Sequence, residues 1–171
     1  SVNFNGGGDY ISIGNSLVDT LNRASVSLWF KADDVTTVQY IYSSPDDSSG
    51  ANGFDIFLQS GLIKGGAKGS SYIASTGTTG LTIGEWNHAA FVCDGTNQHL
   101  YLNGVLEDSD ANDTDTTPIE ADAGAAFIGR FGSYGAYFNG EVRDVKVYNT
   151  GLTTSQVDLL FKGQWIGSPQ H

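Results

Sequence analysis

Apolar and polar residues alternate with a period of two through much of this chain. In residues 25–31, Val26, Leu28 and Phe30 fall on one face and Ser25, Ser27, Trp29 and Lys31 on the other, as in a strand with one face in a core. Trp29 then points away from that core, either onto a concave surface or under a loop or the chain ends. Trp86–Cys93 is almost wholly apolar or aromatic, which fits a strand covered on both faces better than a helix. Asp94-Gly95-Thr96-Asn97 supplies turn chemistry. His99–Leu102 returns, with Leu100 and Leu102 opposite His99 and Tyr101. Asn103-Gly104 predicts a type I′ hairpin turn, which needs positive φ at two successive residues, and Val105-Leu106 begins a third strand. Three antiparallel strands within residues 84–108 leave no room for a crossover helix, so the pattern predicts a β-rich domain.

Weaker patterns fill in the rest. Residues 2–13 read as an opening strand pair broken by Gly6-Gly7-Gly8, and Tyr40-Ile41-Tyr42 as a short strand. Ser43–Gly53 reads as a loop. Phe54, Ile56 and Leu58 share a strand face, and Leu62-Ile63 and Tyr72-Ile73 flank a Gly-rich turn. Ala125–Ile128 reads as a core strand. In the last long strand Val145 and Val147 take one face, and Val142, Asp144, Lys146 and Tyr148 the other. Thr153-Thr154-Ser155-Gln156 is a capping box that opens one short helix running to about Phe161. No internal repeat or linker interrupts the chain, so residues 1–171 form one domain.

Several of these segments carry a family resemblance. Residues 84–108, GEWNHAAFVCDGTNQHLYLNGVLED, resemble the central segment of laminin-G-like jelly-roll domains, within the concanavalin A-like lectin/glucanase and pentraxin-like group. Phe4-Asn5-Gly6 through Asp9-Tyr10-Ile11 resembles the group's opening strand, and Val26–Lys31 its early core strand. Ile128-Gly129-Arg130 and Phe138–Asn149 resemble its closing strands. The matches run in order along nearly the whole chain. They imply an all-β, two-sheet antiparallel jelly-roll sandwich with one short C-terminal helix. Function follows less directly, because such folds serve lectins, adhesion modules, enzymes and spacers.

Composition narrows the options. The chain has 8 Lys and Arg against 19 Asp and Glu, a formal charge of −11. That argues against nucleic acid and anionic membranes as partners and suits neutral glycans or divalent cations. With 23 Gly and 3 Pro, the chain is equipped for many tight turns. The single cysteine, Cys93, lies in the most apolar strand and reads as a small core residue. No apolar run approaches membrane-spanning length. The lack of Met and the start at the first family strand suggest an excised domain or mature product.

Four stretches could carry chemistry. In pentraxins, paired calcium ions sit where two loops meet, and the resemblance places those loops at Ser43–Gly53 and Gly129–Ser133. The first offers Asp46, Asp47 and Asn52, the hard oxygens calcium prefers. The second has Arg130 and Phe131 where the pentraxin pattern carries acidic and amide side chains. The resemblance thus implies loss of the double-calcium site and leaves either a single calcium at Asp46 and Asp47 or a solvated polar loop. In the closing strand, Arg143 stands where many relatives have an acid, and Asp144 could replace it only if the register shifted by one. In the acidic window 107–117, Asp108, Asp110 and Asn112 have calcium-loop spacing but lack the Gly and Glu that complete it. A charged edge strand fits that window better.

The fourth stretch is FGSYGAYFN, residues 131–139. Either Tyr134 and Tyr137 beside Arg130 form a saccharide surface with Asp46, Asp47 and Asn52 across the rim, or Phe131 and Phe138 are core and the tyrosines cover an edge. Catalytic patterns are weak. Glucanases of this fold use Glu-x-Asp-x-x-Glu, and Glu120-Ala121-Asp122-Ala123-Gly124-Ala125 fails at the last position. His88 reads as structural. The expectation is a non-catalytic carbohydrate-binding module, extracellular or on a cell or virion surface, whose glycan is held by Arg130, Tyr134, Tyr137, Asp46, Asp47 and Asn52, with calcium as its cofactor. Its rivals are a structural or adhesion module within a larger parent protein, and a glycoside hydrolase.

Overall fold

A computed structural model describes residues 1–46, 51–121, 126–132, 135–164 and 166, with only the backbone for 46, 51 and 52. The strands are β1 (Val2–Asn5), β2 (Ile11–Gly14), β3 (Ala24–Ala32), β4 (Gln39–Asp46), β5 (Ala51–Gln59), β6 (Leu62–Lys68), β7 (Tyr72–Thr76), β8 (Trp86–Cys93), β9 (Asn97–Leu102), β10 (Val105–Ala111), β11 (Ala126–Ile128) and β12 (Asn139–Tyr148). One helix follows, α1 (Thr154–Phe161). Sheet I has the order β1-β12-β3-β8-β9-β10 and sheet II the order β2-β11-β4-β5-β6-β7. All pairings are antiparallel. This is the expected jelly-roll sandwich with one short helix.

The core lies between the sheets, where alternation placed it. Val26, Leu28 and Phe30 from β3 and Phe91 and Leu100 from β8 and β9 meet Phe54, Ile56 and Leu58 from β5, all fully buried. Phe54 and Phe91 join the sheets ring to ring at 5.1 Å. Cys93 is buried. Asn103 and Gly104 take φ of 51° and 80°, both positive as a type I′ turn requires. Thr153 and Gln156 form the capping box that starts α1. The helix lies on the outer face of β8 and β9, where Val157 and Leu160 cover Ala90, Val92 and Tyr101.

Four local expectations need correction. β1 and β2 do not pair; β1 joins β12 and β2 joins β11, in opposite sheets. Ser43–Asp46 continues β4 and Ala51–Gly53 opens β5, with Ser43 and Ser44 fully buried. The Gly-rich stretch after Ile63 is strand β6, because its partners need the missing Cβ atoms. A Cβ on Gly65 would lie 2.6 Å from the Phe91 ring, and one on Gly66 would lie 2.2 Å from the Tyr72 hydroxyl. Val142 faces the core together with Val145 and Val147, because β12 bulges between Arg143 and Lys146, and an extra residue resets the alternation.

The acidic window does form the edge strand β10, and its side chains turn toward β7. Glu107 accepts from the backbone N–H of Thr78 and Thr79 at 2.7 and 2.8 Å. Asp108 accepts from Thr76 N at 2.7 Å, and Asp110 from Ser75 Oγ at 2.6 Å. Asn112 donates to Gln98 Oε1 at 2.8 Å. The i, i+2, i+4 oxygens are therefore strung along one extended strand, not gathered around a point, and they fasten the two sheets at this edge.

Candidate functional site at the rim of sheet II

The site grows from the segment that follows β11. Gly129 has φ of 88°, Gly132 42°, Gly135 84° and Ala136 49°, so the chain curls repeatedly through left-handed backbone. Phe131 N–H donates to Gly135 O and Phe138 N–H to Gly129 O, both at 2.9 Å, closing the loop on itself. It is then tied to β4. Gly129 N–H donates to Ile41 O at 2.9 Å and Tyr40 N–H to Ala136 O at 3.0 Å. Ser43 Oγ donates to Arg130 O at 2.8 Å. Gly129 cannot carry a side chain, since a Cβ would lie 2.5 Å from the Phe4 ring.

Two stretches that the sequence pairs across the rim do converge. Besides the Ser43–Arg130 bond, a Cβ on Gly132 would touch Pro45 at 3.5 Å. Asp47 and Tyr134 lie outside the described residues, as do the side chains of Asp46 and Asn52. Arg130 is half-buried. Its Cζ sits 4.0 Å from the centre of the Tyr10 ring and 4.2 Å from that of Phe127. Its Nε is buried with no hydrogen-bond partner among the described residues. Tyr10 remains 45% exposed, so this cluster opens to solvent. Phe131 packs on Tyr40 at 4.4 Å, and Tyr40 stacks on Phe57 at 4.8 Å. Phe138 is fully buried, and Tyr137 is half-buried. The aromatic loop therefore divides: Phe138 is core, while Phe131 lies over the outer face of sheet II.

Beneath this rim is Asp55, on the same outer face and fully buried. It pairs with Ser43 on one side and Gly66 on the other. Neither carboxyl oxygen, nor the Tyr72 hydroxyl over Gly66, has a well-formed hydrogen bond among the described residues. Burial holds the Asp55 carboxyl well above the ordinary carboxylate range, although Tyr72 lies near enough to ease its ionisation slightly. Burial, and then the Asp55 charge, push the Tyr72 and Tyr40 hydroxyls up as well. Neither Asp55 nor the Tyr10–Arg130–Phe127 stack was anticipated. Asp55 interrupts an apolar run, which is the one available signal. Nothing in sequence spacing joins Tyr10 to Arg130.

The remaining candidates resolve simply. His88 is buried and shares a 2.8 Å hydrogen bond with Ser27 Oγ, and burial lowers its pKa to about 4. It is structural, as read. Trp29 is covered by the chain's own helix, stacked on Phe161 at 5.8 Å. Asp144 is exposed on the bulge of β12 with φ of 53°. Among the described residues no three His, Cys, Asp or Glu side chains cluster as metal ligands, and no helix is long and apolar enough to cross a membrane.

A family model described as the concanavalin A-like lectin/glucanases superfamily, Laminin_G_3, matches residues 5–158. The chain belongs to this superfamily. Among solved structures, this concanavalin A-like domain is similar to a native heptameric SAP-like pentraxin from Limulus polyphemus, at 20% identity and TM-score 0.71 over 93% of this chain and 80% of the other. It is also similar to domain 4 of AbnA, an extracellular arabinanase from Geobacillus stearothermophilus, at 27% identity and TM-score 0.70 over 92% and 74%. The CBM40 of a Ruminococcus gnavus sialidase matches at 13% identity and TM-score 0.67 over 90% and 97%. Against binding domains of two clostridial toxins, the domain spans only 42% and 41% of their length. No curated protein matches it in sequence. The family's fold is a binding-domain type found as non-catalytic modules, some of them parts of enzymes.

Proposed function

We propose that this chain is a non-catalytic carbohydrate-binding module that holds a glycan at the loop rim of sheet II. The observation that carries this reading is Arg130, whose guanidinium lies 4.0 and 4.2 Å from the Tyr10 and Phe127 ring centres and whose buried Nε has no hydrogen-bond partner among the described residues. A guanidinium held in this way keeps its in-plane N–H groups for an external acceptor, and sugar hydroxyls present such acceptors in pairs. The half-exposed Tyr10, with Tyr134 and Tyr137 from the stretch that follows Arg130, would supply aromatic contact. Asp46, Asp47 and Asn52 would supply opposing oxygens, and Asp46 with Asp47 would hold a single calcium, whose part would be to orient ligand hydroxyls. AbnA domain 4 is described in complex with arabinotriose, and the Ruminococcus CBM40 bound to α2,3 sialyllactose. Both support a saccharide as the class of ligand. The module would then work outside the cell, or on a cell or virion surface.

The test is a glycan array and pull-downs on arabinan and other polysaccharides, with and without chelator, for the wild type and Arg130→Ala. Binding that Arg130→Ala weakens at least tenfold is expected. Absence of binding to every glycan, or full retention by the variant, overturns the reading. Loss with chelator assigns the calcium; no change removes it.

A further inference from the structure

We propose that Arg143 and Lys146 form a second binding site, on the outer face of sheet I, for the carboxylate of an acidic saccharide. Residues three apart on a regular strand point to opposite faces. Here they share one, because the bulge in β12 sets Arg143 opposite Trp29 and Lys146 opposite Ser27, two residues along β3. The bulge turns on Asp144, whose φ of 53° is a left-handed conformation unusual for a side chain with a Cβ. Bulges of this kind re-aim side chains next to functional sites. The two residues therefore sit about 7 Å apart along the strand, within reach of one carboxylate group through their long side chains.

Arg143 is held much as Arg130 is. Its Cζ lies 4.5 Å from the Trp86 ring centre and 5.1 Å from that of Trp29. Two of the chain's three tryptophans thus lie against the guanidinium, which remains exposed. Lys31, beside them, is already paired with Glu141. Neither Arg143 nor Lys146 has a carboxylate partner among the described residues, and both are exposed. Asp144 contributes one negative charge between them, so recognition here depends on directed donors and not on net field. β12 has strand neighbours on both sides, β1 and β3, and so offers no free edge to an extended peptide. A carboxylate carried on a rigid ring, as in a uronate, meets two donors on one sheet face with little loss of its own freedom.

The test uses oligogalacturonate as probe, with a neutral oligosaccharide and poly-glutamate alongside, measured by calorimetry at low and high salt. Wild type is expected to bind oligogalacturonate, more weakly as salt rises. Arg143→Gln and Lys146→Gln should each lose about tenfold in affinity, and Lys64→Gln, which removes a cation from β6 of the other sheet, should keep it. Should Arg143→Gln fail to fold, Lys146→Gln carries the test, since Lys146 packs on neither tryptophan. No oligogalacturonate binding by wild type, unchanged affinity in Lys146→Gln, or equal binding of poly-glutamate overturns the proposal. Loss in Arg130→Ala alone would place the acidic sugar at the rim instead.

Discussion

Replacing Asp55 with asparagine should remove the fall in stability that rising pH brings near neutrality. Asp55 is fully buried, and burial raises its pKa well above 3.8. The folded state therefore keeps a proton that the unfolded chain releases above about pH 4. Its contribution to stability is complete below the unfolded pKa and is lost as pH rises toward the folded one. One proton of difference corresponds to about 1.4 kcal/mol per pH unit, which for a domain of this length is roughly 3–5 °C in Tm per unit. Other carboxyls act oppositely. Hydrogen bonds from Thr37 and Thr36 lower Asp34 to about 2. Glu107 and Asp94 are also lowered, by donors from Thr79 and His99 that outweigh partial burial. Their contributions grow as pH rises through the acid range and are complete by about pH 5. Asparagine keeps the shape of Asp55 and an N–H donor at every pH. The measurement is Tm from pH 4 to 8 for both proteins. The difference, wild type minus variant, should fall steadily with pH at up to the stated slope until Asp55 ionises. A flat difference, or one that rises, would refute the assignment of a neutral buried acid.

Three further perturbations follow from the packing. Gly129→Ala places a Cβ 2.5 Å from Phe4 at a φ of 88°; urea unfolding should show a loss of about 2–4 kcal/mol from backbone strain and overpacking together. Thr153→Ala removes the side chain that accepts from Gln156 N, and should destabilise α1 by about 1 kcal/mol, seen as raised accessibility of Trp29 to a fluorescence quencher. Glu107→Gln replaces an acceptor of four hydrogen bonds from Thr78 and Thr79. It should cost about 1–2 kcal/mol at pH 7 and progressively less as pH falls through the lowered pKa of the Glu107 carboxyl.

Much of this fold is legible because local signals agree with it. Strict alternation in 25–31, Asn103-Gly104 and the Thr153–Gln156 box each point to one structure and form it. Errors arose where distant residues decide. Ser43 and Ser44 look like loop, yet they are paired with Asp55 and Phe54 across β5. Gly65 and Gly66 look like a turn until Phe91 and Tyr72 are seen above them. Val142 was misassigned because one residue at positive φ, Asp144, cannot be read from periodicity. The rim follows the same rule. Arg130 and Tyr137 are candidates because of the aromatic, Gly-rich stretch they belong to, but Tyr10 is 120 residues from Arg130 and meets it only through the pairing of β2 with β11.

The acceptors of Glu107, Asp108 and Asp110 give the sandwich a spine. Along the β7–β10 side the sheets are laced by side chains, while on the other side Val2 and Ile11 stand 47% and 38% exposed beside a small apolar cavity of about 140 Å³. The two sheets should therefore part like the covers of a book, opening first at β1 and β2. Amide hydrogens there would exchange ahead of those in β7 and β10, and loosening would begin far from the laced edge.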